Sequence, residues 1–326
     1  MDGRKVVLYY AWSRPAEIGA PLEVIENRFP TLFESRRMLY PRFEGLSDPR
    51  RFDQSVAGFL DHIMKENFAA FVEQARTQTG QKVTELERVA DNGRRTELDA
   101  SLLDGVDTLI VVSFDSLPTE QSASPAEVET IRAFLTRPDH LLFVCPHHDI
   151  GDVPDAGHDE LLHRQTADFL HHGDRTIPPQ QRFGGFARSL LAALGVPVEN
   201  RFGLHPASEP DGSPAPIEIE STLDRLKLLQ SVRTFNLHPH LPHFERLGDA
   251  VDKLDVLARQ LIDLEAPPHP FTDNGRRAFD ALLQSRPEVF AGTLLVSDAT
   301  LWSSTAGGVD SLRQLWNNVV TRPERF

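Results

Sequence analysis

Cysteine occurs once in the 326 residues, at Cys145, so no intramolecular disulfide can brace this chain. Positive charge is also scarce. The 34 Lys and Arg face 48 Asp and Glu, a formal net charge of −14, and the pairs Arg36-Arg37, Arg50-Arg51, Arg94-Arg95 and Arg276-Arg277 are scattered along the chain. Tracking a phosphate backbone requires clustered cations that displace counterions, so nucleic acid is not an expected partner. No apolar run approaches the roughly 18 residues of a membrane span. The run near the start, Val6 to Trp12, suits a strand rather than a signal peptide, and the expectation is a cytoplasmic protein with no membrane partner. Internal repeats and a His-Glu-x-x-His motif are absent as well.

What is present is the balance of a folded domain: 40% hydrophobic and 25% charged residues, close to the globular average and against general disorder. Lys5 to Trp12 is β-branched, aromatic and apolar on both faces, the pattern of a parallel strand covered on both sides. Ser13 to Asp53 carries Pro15, Pro21, Pro30, Pro41 and Pro49, so helices within it must be short. Between Ser55 and Thr79 apolar residues recur at helical spacing and Gly80 supplies a stop. Strands are expected at Gln81 to Val89, Val106 to Phe114, His140 to Cys145 and Gly292 to Asp298. Ser124-Pro125-Ala126-Glu127 has the capping serine, first-turn proline and capping-box glutamate of a helix start. Further helices are expected at Asp159 to His172, Phe186 to Leu194 and Ala250 to Leu264. A terminal helix should turn Leu312, Leu315, Trp316 and Val319 inward. Ile217 to Glu220 and Leu226 to Val232 are candidate strands.

Reactive residues gather just after the strand His140 to Cys145, where Pro146, His147, His148 and Asp149 follow. Open α/β sheets bind ligands in the crevice beyond the carboxyl ends of their strands, so His147, His148 and Asp149 are candidate catalytic residues. Several of the thirteen histidines fall into two knots, the first at His147 and His148, the second at His238, His240 and His243. If the later loop folds over the strand end, His147, His148, His238 and His240 could hold a divalent metal such as zinc; iron and manganese also accept imidazole and carboxylate. His158 and His163 follow on a helix approach, and His158, His171 and His172 also fit surface positions. Strand-end residues Asp115, Asp149 and Asp298, with the nearby Trp12, Ser13 and Arg14, could do metal-free polar binding or acid/base work, and the aspartates could equally cap the turns that follow them. Gly184-Gly185 could open a helix N-terminus to an anion.

The order of these pieces resembles the class I glutamine amidotransferase-like superfamily, nearest to its uncharacterised, trehalose-utilisation-like branches. Four stretches carry the likeness: Lys5 to Trp12; "AFVEQARTQTGQKVTEL" with "LLDGVDTLIVV"; "SPAEVETIRAFLTRPDHLLFVCPHHD"; and "AGTLLVSDATLWSS" with "LRQLWNNVV". The resemblance implies an α/β, three-layer, flavodoxin-like sandwich around a mainly parallel sheet. It would form one domain over 1–326 with insertions at about 13–53 and 200–270. In that superfamily a cysteine on a strand-to-helix turn works with a later His-x-Glu, which here implies Cys145, His243 and Glu245. The family elbow is Gly-x-Cys-x-Gly, whereas Val144 and Pro146 flank Cys145, so the weight moves from the thiol to the imidazoles and carboxylate after it. The expected function is a hydrolase-type enzyme acting on a C–N or C–O bond of a small polar metabolite, with metal assistance and oligomerisation both open. The alternative is a non-catalytic binding or assembly protein that keeps the fold.

Overall fold

The structure, a computed structural model, describes residues 4–19, 65–115, 119–147, 149–151, 180–238, 240–265, 270–304 and 309–322. The chain enters through β1 (Val6–Ser13), every residue of which is buried, and turns into the short helix α1 (Arg14–Ile18). Ser13 caps that helix by accepting from the Ala16 amide. Most of the proline-rich segment up to residue 53 lies outside the described residues. Of the helix expected over Ser55 to Thr79, residues 55–64 lie outside the described residues, and the rest is a 3-10 turn at Glu66–Phe68 and α2 (Ala69–Thr79), closed by Gly80 at φ 67°.

β2 (Thr84–Val89) and β3 (Thr108–Ser113) follow, then α3 (Pro125–Phe134). The Ser124 and Glu127 capping box forms in full, and the same Glu127 carboxylate meets Arg88, so one buried ion pair ties β2 to the start of α3. β4 (Leu141–Pro146) is buried along its whole length. β5 (Asp149–Gly151), β6 (Gln180–Arg182), α4 (Gly185–Ala193) and β7 (Val198–Leu204) come next. The remaining elements are β8 (Glu218–Ile219), β9 (Leu241–Arg246), α5 (Ala250–Lys253), β10 (Leu254–Leu261), β11 (Ala278–Ser285), β12 (Thr293–Ser297) and α6 (Val309–Thr321). No helix among the described residues is long and apolar enough to cross a membrane.

Eight strands form the central sheet in the order β2-β1-β3-β4-β12-β11-β10-β8. The pairings from β2 to β12 are parallel and those from β12 to β8 antiparallel, so the fold is mixed α/β with a large, mostly parallel sheet. Because side chains alternate along a strand, β1 feeds two cores. Leu8, Tyr10 and Trp12 pack with Phe71 of α2 and Leu315 and Trp316 of α6. Val7, Tyr9 and Ala11 pack with Ile131 of α3 and Phe186 and Leu190 of α4. A second, four-stranded sheet, β6-β5-β7-β9, is antiparallel throughout.

Two sequence expectations are corrected. The helix expected over Ala250 to Leu264 stops after four residues and continues as β10, because β8 and β11 offer backbone partners on either side. Its buried run Val256, Leu257 and Ala258 satisfies a covered strand as well as a helix face, and tertiary pairing decides between them. Leu226 to Val232 is not a strand: Lys227 and Ser231 take φ of 54° and 62°, a left-handed backbone that breaks extended structure into turns. β7, β9 and β11 go unanticipated, since VENRFGL and LPHFER do not alternate cleanly. The helix expected at Asp159 to His172 lies outside the described residues.

Candidate functional site at the strand ends

β4 and β12 are parallel neighbours, so their carboxyl ends deliver His147 and Asp298 side by side. His147 Nδ1 lies 2.9 Å from Asp298 Oδ2, and the two side chains are 8% and 5% exposed. The carboxylate is fixed from its other side as well. Thr300 donates to Asp298 Oδ1 through its amide at 2.8 Å and through its hydroxyl. Burial alone would raise the Asp298 pKa, but the His147 ring and these donors hold it below the usual carboxylate range. An anionic Asp298 accepting from Nδ1 holds a proton on that nitrogen and orients Nε2 away from the carboxylate.

The loop before β9 then brings the second histidine knot over the first. Ring centroids of His147 and His238 are 5.1 Å apart, of His147 and His240 6.0 Å, and of His238 and His240 4.2 Å. One ligand-capable nitrogen from each of the three lies within 4.8 Å of the other two. Nitrogens sharing a tetrahedral zinc at about 2.0–2.1 Å would sit about 3.3 Å apart, so side-chain movements of about 1 Å would close the trio on an ion. His238 Nδ1 is buried without a hydrogen-bond partner. Burial, reinforced by the His147 ring, pushes the His238 pKa down to about 3, which keeps its imidazole neutral as a ligand must be.

Apolar and polar neighbours hold His147 from behind. The rings of Phe114 and Phe183 lie 5.2 and 5.8 Å from its own. Buried Asn200 on β7 donates to the His147 and Phe183 carbonyls, and Arg188 of α4 clamps Asn200 Oδ1 at 2.9 Å while reaching Glu120. Gly184, at φ 86°, lets α4 begin against the site: a Cβ there would come within 2.6 Å of the Pro146 Cβ. The second sheet and the central sheet thus meet at the His147 backbone.

The other candidates fall elsewhere. Cys145 is fully buried against Ser297 Oγ at 3.4 Å, and burial pushes its thiol up to about 12, the opposite of an activated nucleophile. His243 Nδ1 accepts from the Asp280 amide at 3.2 Å and its ring meets Phe271, while Glu245 pairs with Arg201 at 2.9 Å. Cys145, His243 and Glu245 therefore have separate partners and form no hydrogen-bonded triad. β5 carries the Asp149 backbone into the second sheet; the Asp149 side chain and His148 lie outside the described residues, as do His158, His163, His171 and His172.

The remaining strand-end groups have partners within the protein. Asp115 accepts from Ser113 Oγ and from the Gln121 and Phe186 amides, so its own carboxylate occupies the α4 N-terminus that Gly184-Gly185 could have opened to an anion. Burial outweighs those bonds and raises it to about 6. Arg14 is taken up by Glu87, which also receives the Trp12 indole N–H and Lys65. Burial opposes ionisation of Glu87, yet these donors win and bring its pKa down to about 2. Sequence reasoning passed over Thr300 and Asn236. The signals were a hydroxyl two residues after a strand-end aspartate and an Asn two residues before a histidine, both local turn patterns.

No family model matches the chain, and neither does any curated protein. Among solved structures, the crystal structure of Agd3, described as a novel carbohydrate deacetylase, aligns with 98% of this chain at 11% identity and a TM-score of 0.38. The chain spans about a third of that protein's length, 32%. A likeness at that score defines neither a shared fold nor a shared activity.

Proposed function

We propose that the chain is a divalent-metal-dependent hydrolase acting on a C–N or C–O bond of a small polar metabolite, with His147, His238 and His240 as the protein ligands. The observation that carries this reading is the convergence of three imidazoles, from two distant stretches of sequence, with one of them backed by a buried carboxylate. Three protein ligands that leave a coordination position for water or substrate are the pattern of catalytic rather than structural zinc. A zinc ion there would supply Lewis acidity toward a carbonyl or a water. The chain's own contribution is orientation and exclusion of solvent. Asp298 sets the His147 tautomer, Asn200 and Arg188 fix its backbone, and Phe114 and Phe183 keep water from its rear face.

The same proposal reads 1–326 as one flavodoxin-like, amidotransferase-related domain; the order β2-β1-β3-β4-β12 and the helices on both faces support it. In that arrangement the site would lie in the crevice where such sheets bind ligands. The test is hydrolysis of 4-nitrophenyl acetate and 4-nitroacetanilide by zinc-loaded protein, before and after dipicolinate treatment. Hydrolysis of at least one probe should disappear on chelation and return with zinc. A rate indifferent to chelation, or zinc-loaded protein inert toward both probes, would contradict the reading.

A further inference from the structure

His147 and Asp298 sit on strand ends, whereas His238 sits on a loop, and one buried residue spans the gap between them. Asn236 is 1% exposed. Its Oδ1 accepts from the His238 amide at 3.1 Å and its Nδ2 donates to Thr300 Oγ1 at 2.9 Å. Its carbonyl accepts from Gln260 Nε2 of β10 at 3.1 Å, which anchors the loop to the central sheet. Thr300 Oγ1 in turn donates to the Asp298 carboxylate that receives His147. The result is one unbroken relay: His147, Asp298, Thr300, Asn236, and the backbone of His238.

We propose that Asn236 is a positioning residue that sets the distance between the His147 and His238 ligands through this relay. The assignment rests on the metal-site reading above. The chemistry requires an amide at position 236. Thr300 has one hydroxyl proton and gives it to Asp298, so the group facing Thr300 must donate, while the group facing the His238 amide must accept. Aspartate would offer two acceptors and compete with Asp298 for the Thr300 proton. Leucine would leave both the His238 amide and the Thr300 lone pair unanswered.

The test is zinc affinity by competition with a chromophoric chelator, together with the cobalt(II) visible spectrum and the melting temperature of metal-free protein. The chains compared are wild type, His238→Ala, Asn236→Ala and Thr300→Val. Asn236→Ala leaves buried groups unpaired and is expected to lower the melting temperature; Thr300→Val keeps the side-chain shape and isolates the relay. Both should bind zinc about 10- to 100-fold more weakly than wild type, the usual cost of losing support behind a ligand, and both should shift the cobalt spectrum. A wild type that takes up no zinc would overturn the metal reading and this assignment together. Wild type binding zinc while His238→Ala does not, with Asn236→Ala and Thr300→Val both within about twofold of wild type and spectrally unchanged, would overturn the positioning role and leave the metal site standing.

Discussion

Asp298→Asn should weaken zinc binding by about 100-fold or more while leaving the fold intact. The reason lies in which atoms of residue 298 face which donors. Oδ1 receives both the Thr300 amide and the Thr300 hydroxyl, and the amide N–H, an obligate donor, cannot be answered by an NH₂ group. An asparagine would therefore keep its oxygen toward Thr300 and turn its NH₂ toward His147 Nδ1. That donor forces Nδ1 to accept and moves the imidazole proton to Nε2, which removes the lone pair needed for coordination. Loss of an outer-sphere partner alone costs about 10- to 100-fold in metal affinity, and the wrong tautomer adds to it. Competition titration of zinc into the variant, with a thermal melt of the metal-free protein, checks both halves. Wild-type affinity in a folded Asp298→Asn chain would mean that His147 does not ligate through Nε2.

The second large effect is expected at His147 itself. Apparent zinc binding energies of about 10–16 kcal/mol spread over four ligands put each ligand at about 2.5–4 kcal/mol, so His147→Ala should raise the zinc dissociation constant on the order of 10²- to 10³-fold. Cys145→Ser should change it little. Cys145 is adjacent in sequence to the Pro146-His147 turn, but its side chain points into the core against Ser297 and does not join the trio. A chain in which Cys145→Ser lost zinc and His147→Ala kept it would reverse the roles assigned to the two residues. Isothermal titration with both variants makes the comparison in one experiment.

How much of this was legible in the sequence varies with the physics involved. β1, β3, β4 and β12 could be read because a strand covered on both faces is apolar at every position, and that signal is local. The α3 start was equally clear, since a capping box is a four-residue pattern with its own hydrogen bonds. β10 was misread because its apolar residues satisfy two periodicities and only its antiparallel partner strands choose between them. For the site, the sequence supplied the two histidine knots and the condition that a loop fold over the strand end. It could not supply Asp298 as the partner of His147, because strands 150 residues apart become neighbours only when the β4–β12 pairing forms. Cys145, the most conspicuous residue by composition, drew attention that its buried position does not justify.

Zinc K-edge X-ray absorption on wild-type protein loaded with one equivalent of zinc tests the central claim most directly. Three imidazole nitrogens at about 2.0–2.1 Å, completed by a light oxygen scatterer and with no sulfur shell near 2.3 Å, are the predicted signature. A sulfur shell, fewer than three imidazoles, or zinc that washes off without entering the protein would contradict it.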